Sequence, residues 1–503
     1  MNLAAIFFSV PGSVVGKRYS SQLVLAVVVG CLVVPNAPLA RQNSITGSLA
    51  LGHDFDSNVF KSDLSRVGEG KNQAAPQFSF TSEGLTDSFS LGYAPTFTYN
   101  QRREDHEMVQ ALSFTGDKGV SSRWKVTMNG NYADYDNLFF EAGTNLSVTQ
   151  NFLRADSATQ AEIVRILFPE LAWDPAHDMA SVISQLQGRF NQAQADQGRV
   201  NALLFQGVNG ARQQYRTSEI ALSSEYAFAD KSAFILGYHL TSQDNKTGRL
   251  ADHLGQTPSV LVSYQINQQW RAAVGYDLSF DTYDTLDDSI SDDSTTNHPH
   301  LQVDYRISPQ NLLFWNYDYQ QIDFTEPARD TQELGGKIGW NHGFDQRTSL
   351  TTSLGSTFLG REEAPDEREY TLDLGLTRRI ERGSIGVYAQ GMTAKARTLT
   401  DTWERSRQSW ELSSDLTYQL KRDLSSTGRM SYGQWDSWGQ GFSQNPYAKY
   451  QLGAGLHYLF KRWYTVSLAY DYNLFDTDST ILDDYTEHLV SLKLAGAKEL
   501  WRW

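Results

Sequence analysis

An all-β chain closed into a transmembrane up-and-down antiparallel barrel of about 20 strands is the fold the sequence predicts, and three observations predict it. Apolar and polar residues alternate with period two along most of the chain. Tight turns and long polar loops take turns as connections. The composition is polar on average yet rich in rings, with 40 % apolar residues, 12 % aromatics and a mean hydropathy of -0.46. Residues 270–281 show the alternation most plainly. Successive side chains of a strand point to opposite faces, so Trp270, Ala272, Val274, Tyr276, Leu278 and Phe280 share one face. Arg271, Ala273, Gly275, Asp277, Ser279 and Asp281 share the other. A soluble sandwich would need shorter strands and a second apolar layer, whereas a closed barrel in lipid pairs every backbone group where water is absent.

The amino end reads as a secretory signal peptide over residues 1–40. Lys17 and Arg18 precede the apolar run from Leu23 to Val34, and the small-residue segment Asn36 to Ala40 follows. The run is too short for a membrane span. Removing it takes away two basic residues and no acids, which makes the formal charge two units more negative than -15 and argues against a nucleic-acid partner. The single cysteine, Cys31, lies inside the run, so residues 41–503 are expected to be a barrel without thiol chemistry.

From Ser44 onward the strands recur. Tight connections are expected near Leu85–Thr86, Asp117–Gly119, Ala229–Asp230, Asn267, Ser308–Pro309, Phe344–Asp345, Glu381–Arg382, Arg422 and Lys461. Longer loops are expected around 54–75, 100–105, 136–210, 245–255, 283–297, 325–331, 361–367, 398–405, 437–446 and 477–485. An even strand count returns both chain ends to the short-turn side. The expected localisation is the outer membrane of a Gram-negative cell, in contact with lipid and lipopolysaccharide.

After the first strand comes GHDFDSNVFKS, in which Asp56, Ser57, Asn58, Val59 and Phe60 stand in succession. As residues, Asp56, Ser57 and Asn58 are turn formers and Phe60 is a rim aromatic. The stretch resembles the D-S-N-V-F segment near the amino end of the β-barrel porin type 2 family, outer-membrane barrels often associated with exopolysaccharide operons. The resemblance implies a channel that exports polysaccharide, with periplasmic export components as partners. Members commonly end in an alternating strand with a terminal aromatic, resembling the signal read by the barrel-assembly machinery. Here HLVSLKLAGAKELWRW breaks step around Gly496 while Trp503 supplies the aromatic.

Residues 151–206 are not strand-like. Ser157 with Gln160 forms a capping-box pattern ahead of Ile163, Val164 and Leu167, and Pro169 ends that helix. A second helix, capped by Asp174 with Pro175 behind it, places Met179, Val182, Ile183, Leu186 and Phe190 on one face. Turn parity puts this insert on the long-loop side. It either constricts the lumen or packs on itself above the rim.

The face opposite the aromatics collects the candidate pore-lining residues. Its cations are Arg123, Lys125, Arg271, Arg306, Arg379, Arg429 and Lys449; its acids are Asp277, Asp304, Asp318, Asp373, Glu411, Asp415 and Asp471. Rings of charge set selectivity in pores, but both signs are present, so a web of ion pairs is an equal reading. Inward Tyr388 and Trp463 could offer stacking surfaces. Asp287, Asp288, Asp292 and Asp293 gather in one external loop, where oxygen ligands suit a weak divalent-cation site or a solvated acidic rim. G-x-S-x-G, H-E-x-x-H and phosphate-binding glycine loops are absent, so neither catalysis nor a cofactor is expected. Three functions stay open: an exopolysaccharide conduit, a general or nutrient diffusion porin, and a non-transporting scaffold or adhesin.

Overall fold

A computed structural model describes residues 41–58, 68–101, 105–138, 152, 157–168, 171, 179, 182, 185, 186, 189, 212–246, 252–284, 293–325, 330–361, 367–396, 405–438, 447–477 and 484–503. The expected signal peptide lies outside these residues. Twenty strands follow one another: β1 (Gln42–Asp56), β2 (Glu69–Glu83), β3 (Asp87–Asn100), β4 (Asp105–Ser121), β5 (Trp124–Leu138), β6 (Arg212–Ala229), β7 (Ser232–Asn245), β8 (Asp252–Gln265), β9 (Trp270–Asp284) and β10 (Ser294–Ser308). The second half comprises β11 (Asn311–Phe324), β12 (Thr331–Gly343), β13 (Thr348–Arg361), β14 (Glu367–Ile380), β15 (Gly383–Ala396), β16 (Arg405–Lys421), β17 (Leu424–Trp438), β18 (Tyr447–Phe460), β19 (Tyr464–Thr477) and β20 (Tyr485–Arg502). Each pairs antiparallel with the next, and β20 pairs with β1, so the sheet closes on itself.

Tight turns stand where the turn formers predict them, with one exception. The fourth and fifth strands meet at Ser122 and Arg123, not at Asp117–Gly119, which belong to β4. Asp117 is held in the strand by Lys125 at 2.9 Å and by the Thr127 hydroxyl at 2.9 Å. Two of the turns use a left-handed backbone, which Lys231 (φ 57°) adopts in one and Lys461 (φ 50°) and Arg462 (φ 65°) in the other. In the β12–β13 turn, Asp345 accepts the backbone N–H groups of Arg347 and Thr348, each at 2.6 Å. Those bonds, that from Arg347 above all, hold its carboxyl below the usual aspartate range.

The outer face is apolar and uncovered. Ile338 is 64 % exposed, Leu354 63 % and Val274 58 %, and such residues recur around the whole circumference. So large an apolar belt is untenable in water and natural in lipid. Paired rings border it on the short-turn side: Trp270 stacks 4.4 Å from Tyr305 and Phe228 6.3 Å from Tyr264, while Phe80 lies tilted 6.3 Å from Trp503. On the long-loop side the outer face turns charged, where Asp134 meets Arg216 and Lys246, both at 3.1 Å. Aromatic rings and charges of this kind mark the edges of the hydrocarbon layer.

Pro76, Pro95, Pro258 and Pro299 lie inside strands with their side chains on the apolar outer face. A proline donates no ladder hydrogen bond, and pairing is interrupted around each. Pairs are missing between Ala74–Phe97 and Phe78–Tyr93 of β2–β3, and between Gln256–Phe280 and Ser259–Asp277 of β8–β9. A third gap falls between Asn297–Gln321 and His300–Asp318 of β10–β11.

At the seam, Asn43 and Trp503 exchange backbone hydrogen bonds of 2.8 and 3.0 Å. The break in alternation is a β-bulge opposite Ile45 and Thr46 that leaves Leu500 unpaired. Leu500 therefore lies over Gly47, where a Cβ would stand 2.8 Å from its Cδ1. The extra residue shifts the parity, so Trp501 and Trp503 face outward with 67 % and 56 % exposure.

In the insert, α1 spans Ser157–Leu167, as the cap and Pro169 predict. Met179, Val182 and Leu186 of the second helical segment pack with it, while Asp174, Pro175, Ile183 and Phe190 lie outside the described residues. Phe152, Ile163, Val164, Leu167, Phe168, Val182 and Leu186 form a buried cluster drawn entirely from the insert. Gln160 does not close a box but donates from Nε2 to the carbonyl of Phe152 at 2.9 Å, and Arg189 sits 5.3 Å over the Phe168 ring.

Two outcomes follow. Leu354→Arg, on the outer face, should lose about 2–4 kcal/mol of folded stability in lipid, whereas Thr351→Arg, three residues away on the inner face, should assemble normally; heat-resistant mobility of barrels from purified membranes reads the difference. Because the insert carries its own core, a chain lacking residues 155–206 should still give a heat-resistant barrel in the same assay.

Candidate functional site

The inner face is the candidate site, and strand parity builds it. Of the residues expected there, Lys125, Arg271, Asp277, Asp304, Arg306, Asp318, Asp373, Arg379, Glu411, Asp415, Arg429, Lys449 and Asp471 all alternate with exposed outer-face apolar residues. Arg123 does not: it occupies the β4–β5 turn, because β4 runs on to Ser121. Trp463 likewise lies in the β18–β19 turn, 48 % exposed, and offers no surface to the wall.

Opposite charges are set against each other across the ladders. Arg271 is the direct partner of Asp304 in β9–β10, and Arg429 of Asp415 in β16–β17. Lys337 binds Asp373 at 2.5 Å, and the Ser353 hydroxyl donates to the same carboxylate at 2.9 Å. Polar neutral groups occupy other places: Arg271 donates to Ser263 Oγ at 3.0 Å, Gln302 to Asp304 at 2.8 Å, and Gln451 to Asn473 at 3.0 Å. Such pairing is the sheet's own means of stabilising one face, and it leaves no long run of one sign. Lys337 escapes a reading by charge blocks because it stands alone between Gly336 and Ile338; its parity relative to Ile338 was the available signal.

Glycines on this wall make room for flat or charged neighbours. A Cβ at Gly335 would stand 2.2 Å from Asp318 Oδ2, and one at Gly453 2.4 Å from Asp471 Oδ1. Tyr388 lies on the inner face over Gly375 and Gly386, with its hydroxyl 2.5 Å from where a Gly386 Cβ would be. Histidine–carboxylate pairs join them: His239 with Glu219 at 2.8 Å and His253 with Asp281 at 2.9 Å.

The D-S-N stretch sits at the top of the seam. Asn58 is fully buried; its N–H donates to Asp56 Oδ1 at 2.8 Å, and its side-chain amide donates to the Thr486 carbonyl at 3.0 Å. Ser57 exchanges bonds with His488, donating its N–H to the carbonyl at 3.0 Å and accepting the His488 N–H on Oγ at 2.8 Å. These three residues tie β1 to β20. Val59 and Phe60 lie outside the described residues, as do Asp287, Asp288 and Asp292 of the acidic loop. Asp293 of that loop closes it, accepting the Tyr283 N–H on Oδ1 at 2.7 Å.

If Lys337 balances Asp373 electrostatically in a conducting lumen, Lys337→Met should move the reversal potential under a salt gradient toward cation selectivity, and Asp373→Asn should move it the other way. Planar-bilayer recordings check both.

No protein-family model matches the sequence, and no curated protein matches it. The fold does match solved barrels. The ferric enterobactin receptor of Pseudomonas aeruginosa, bound to enterobactin, aligns with a TM-score of 0.54 at 8 % identity, over 90 % of this chain and 81 % of that one. The siderophore receptor PirA of Acinetobacter baumannii gives 0.50 at 8 % identity, over 91 % and 81 %. OpdL of Pseudomonas aeruginosa gives 0.41 at 12 % identity, over 91 % and 99 %. The chain is a closed antiparallel β-barrel of the outer-membrane type.

Proposed function

We propose that this barrel is an outer-membrane conduit for a hydrophilic polymer, an exopolysaccharide leaving the cell. The observation that carries the reading is the balance of the inner wall. Charges are matched in pairs, Lys337 with Asp373 and Lys125 with Asp117, and between them stand Ser, Thr, Asn, Gln and the flat ring of Tyr388. A sliding sugar chain meets many weak hydrogen-bond partners there and no strong trap, and conduction demands such weak, repeated sites. A barrel of 20 strands also falls between the 16- to 18-stranded porins and the 22-stranded transporters in width. The Asp56–Asn58 stretch supports the reading through its resemblance to type 2 porins. Lipopolysaccharide around the charged outer rim, the barrel-assembly machinery and periplasmic export components are the partners this reading calls for.

Deleting the gene should abolish cell-surface polysaccharide and leave entry of small sugars and antibiotics nearly unchanged. Normal surface polysaccharide with slowed small-solute entry would overturn export in favour of a diffusion porin. A purified barrel that shows no conductance, with residues 155–206 present or deleted, would favour a scaffold.

A further inference from the structure

We propose that Asp277, His298 and His300 form a binding site for a divalent transition-metal ion on the inner wall, open to the lumen. This inference is independent of which solute the barrel carries.

The sequence brings the three together by period and register. His298 and His300 flank Pro299 in β10, so both imidazoles take the inner face while the proline ring faces lipid. In β9–β10, His298 is the direct partner of Asp277, and His300 that of Gly275. The three donors converge: His298 Nδ1 lies 3.3 Å from Asp277 Oδ2, His300 Nδ1 lies 3.6 Å from the same oxygen, and all three ligand atoms fall within 4.8 Å of one another. An ion with bonds of about 2.0–2.1 Å in tetrahedral geometry separates its ligands by ~3.3–3.4 Å. The two nitrogen-to-oxygen spacings meet that within a few tenths of an ångström.

Two further observations point to a ligand. His300 Nδ1 is buried and has no hydrogen-bond partner among the described residues. A buried polar nitrogen left this way is costly unless something occupies it. Its orientation is built in, because Gly275 gives the ring its place: a Cβ there would stand 2.1 Å from His300 Nε2. Nε2 is thus wedged against the wall, and Nδ1 is turned to Asp277. The side chains of Asp277, His298 and His300 are 32 %, 35 % and 32 % exposed, so the cluster is only partly covered.

Two imidazoles and one carboxylate select zinc-like or iron-like ions over calcium and magnesium, which prefer oxygen alone. Binding would replace one negative charge at this height of the wall by one positive charge.

The test uses the full, untagged barrel folded in detergent. Titration with Co2+ should saturate at one ion per chain with the visible bands of a low-coordinate site, and Zn2+ should displace it. His298→Gln and His300→Gln, which keep side-chain volume and polarity, should each weaken binding at least about tenfold, while His239→Gln and His253→Gln leave it unchanged. Equal losses from all four, or no saturable binding, would overturn the proposal. Should a glutamine variant not fold, X-ray absorption on Zn2+-loaded wild-type protein decides: two imidazoles and a carboxylate in the first shell support the site, and an all-oxygen shell assigns the ion to the acidic loops and refutes it.

Discussion

Everything in this molecule depends on the closure of one backbone ladder, that between β1 and β20. In hydrocarbon an unpaired N–H or C=O has no water to turn to, so an open 20-stranded sheet would carry two ruinous edges. The chain secures the closing pair at both ends. At the short-turn end Asn43 and Trp503 bond each other in both directions. At the long-loop end Ser57 and Asn58 bind the backbone of His488 and Thr486. The register of this pair matters as much as its closure, since a slip of one residue would turn every side chain of a strand to the wrong face.

Much of this was legible in the sequence because strand geometry has a simple period. The alternation at 270–281, the short turns and the even strand number needed no tertiary information. The exceptions share a cause: they depend on cross-strand partners. Asp117 and Gly119 look like a turn until Lys125 and Thr127 are known to face them from β5. The loss of step around Gly496 has no cause in the linear pattern until the bulge at Leu500 is seen to reset it. The D-S-N residues read as loop chemistry, which they partly are, but their attachment to a strand 428 residues away is invisible in a linear pattern.

The inner wall was legible in outline only. Parity assigns Arg271, Asp304, Asp373 and Arg429 to the inner face, yet nothing in a one-dimensional reading tells that Arg429 opposes Asp415 or that Gly453 makes room for Asp471. Such pairings require the register, and register follows from turn lengths and bulges. His298 and His300 were individually unremarkable for the same reason. For the insert, local helix signals in Ser157 and Pro169 sufficed, but an apolar stripe names no partner, and the helices meet that need by packing on each other.

The outward-facing prolines have a mechanical consequence. The gap beside Pro258 loosens β8 from β9 at Leu278 and Ser279, and the gap beside Pro299 loosens β10 from β11 at Tyr319 and Gln320. The hairpin β9–β10 between them keeps an unbroken run of pairs from Ser294–Asp281 to Tyr305–Trp270. Its ladders to β8 and to β11 are thus each interrupted once, at nearly one height, while the ladder within it is continuous. A hoop under strain yields first at such interruptions, so local opening of this wall is expected beside Pro258 and Pro299, at the height of the lumen-facing His298 and His300.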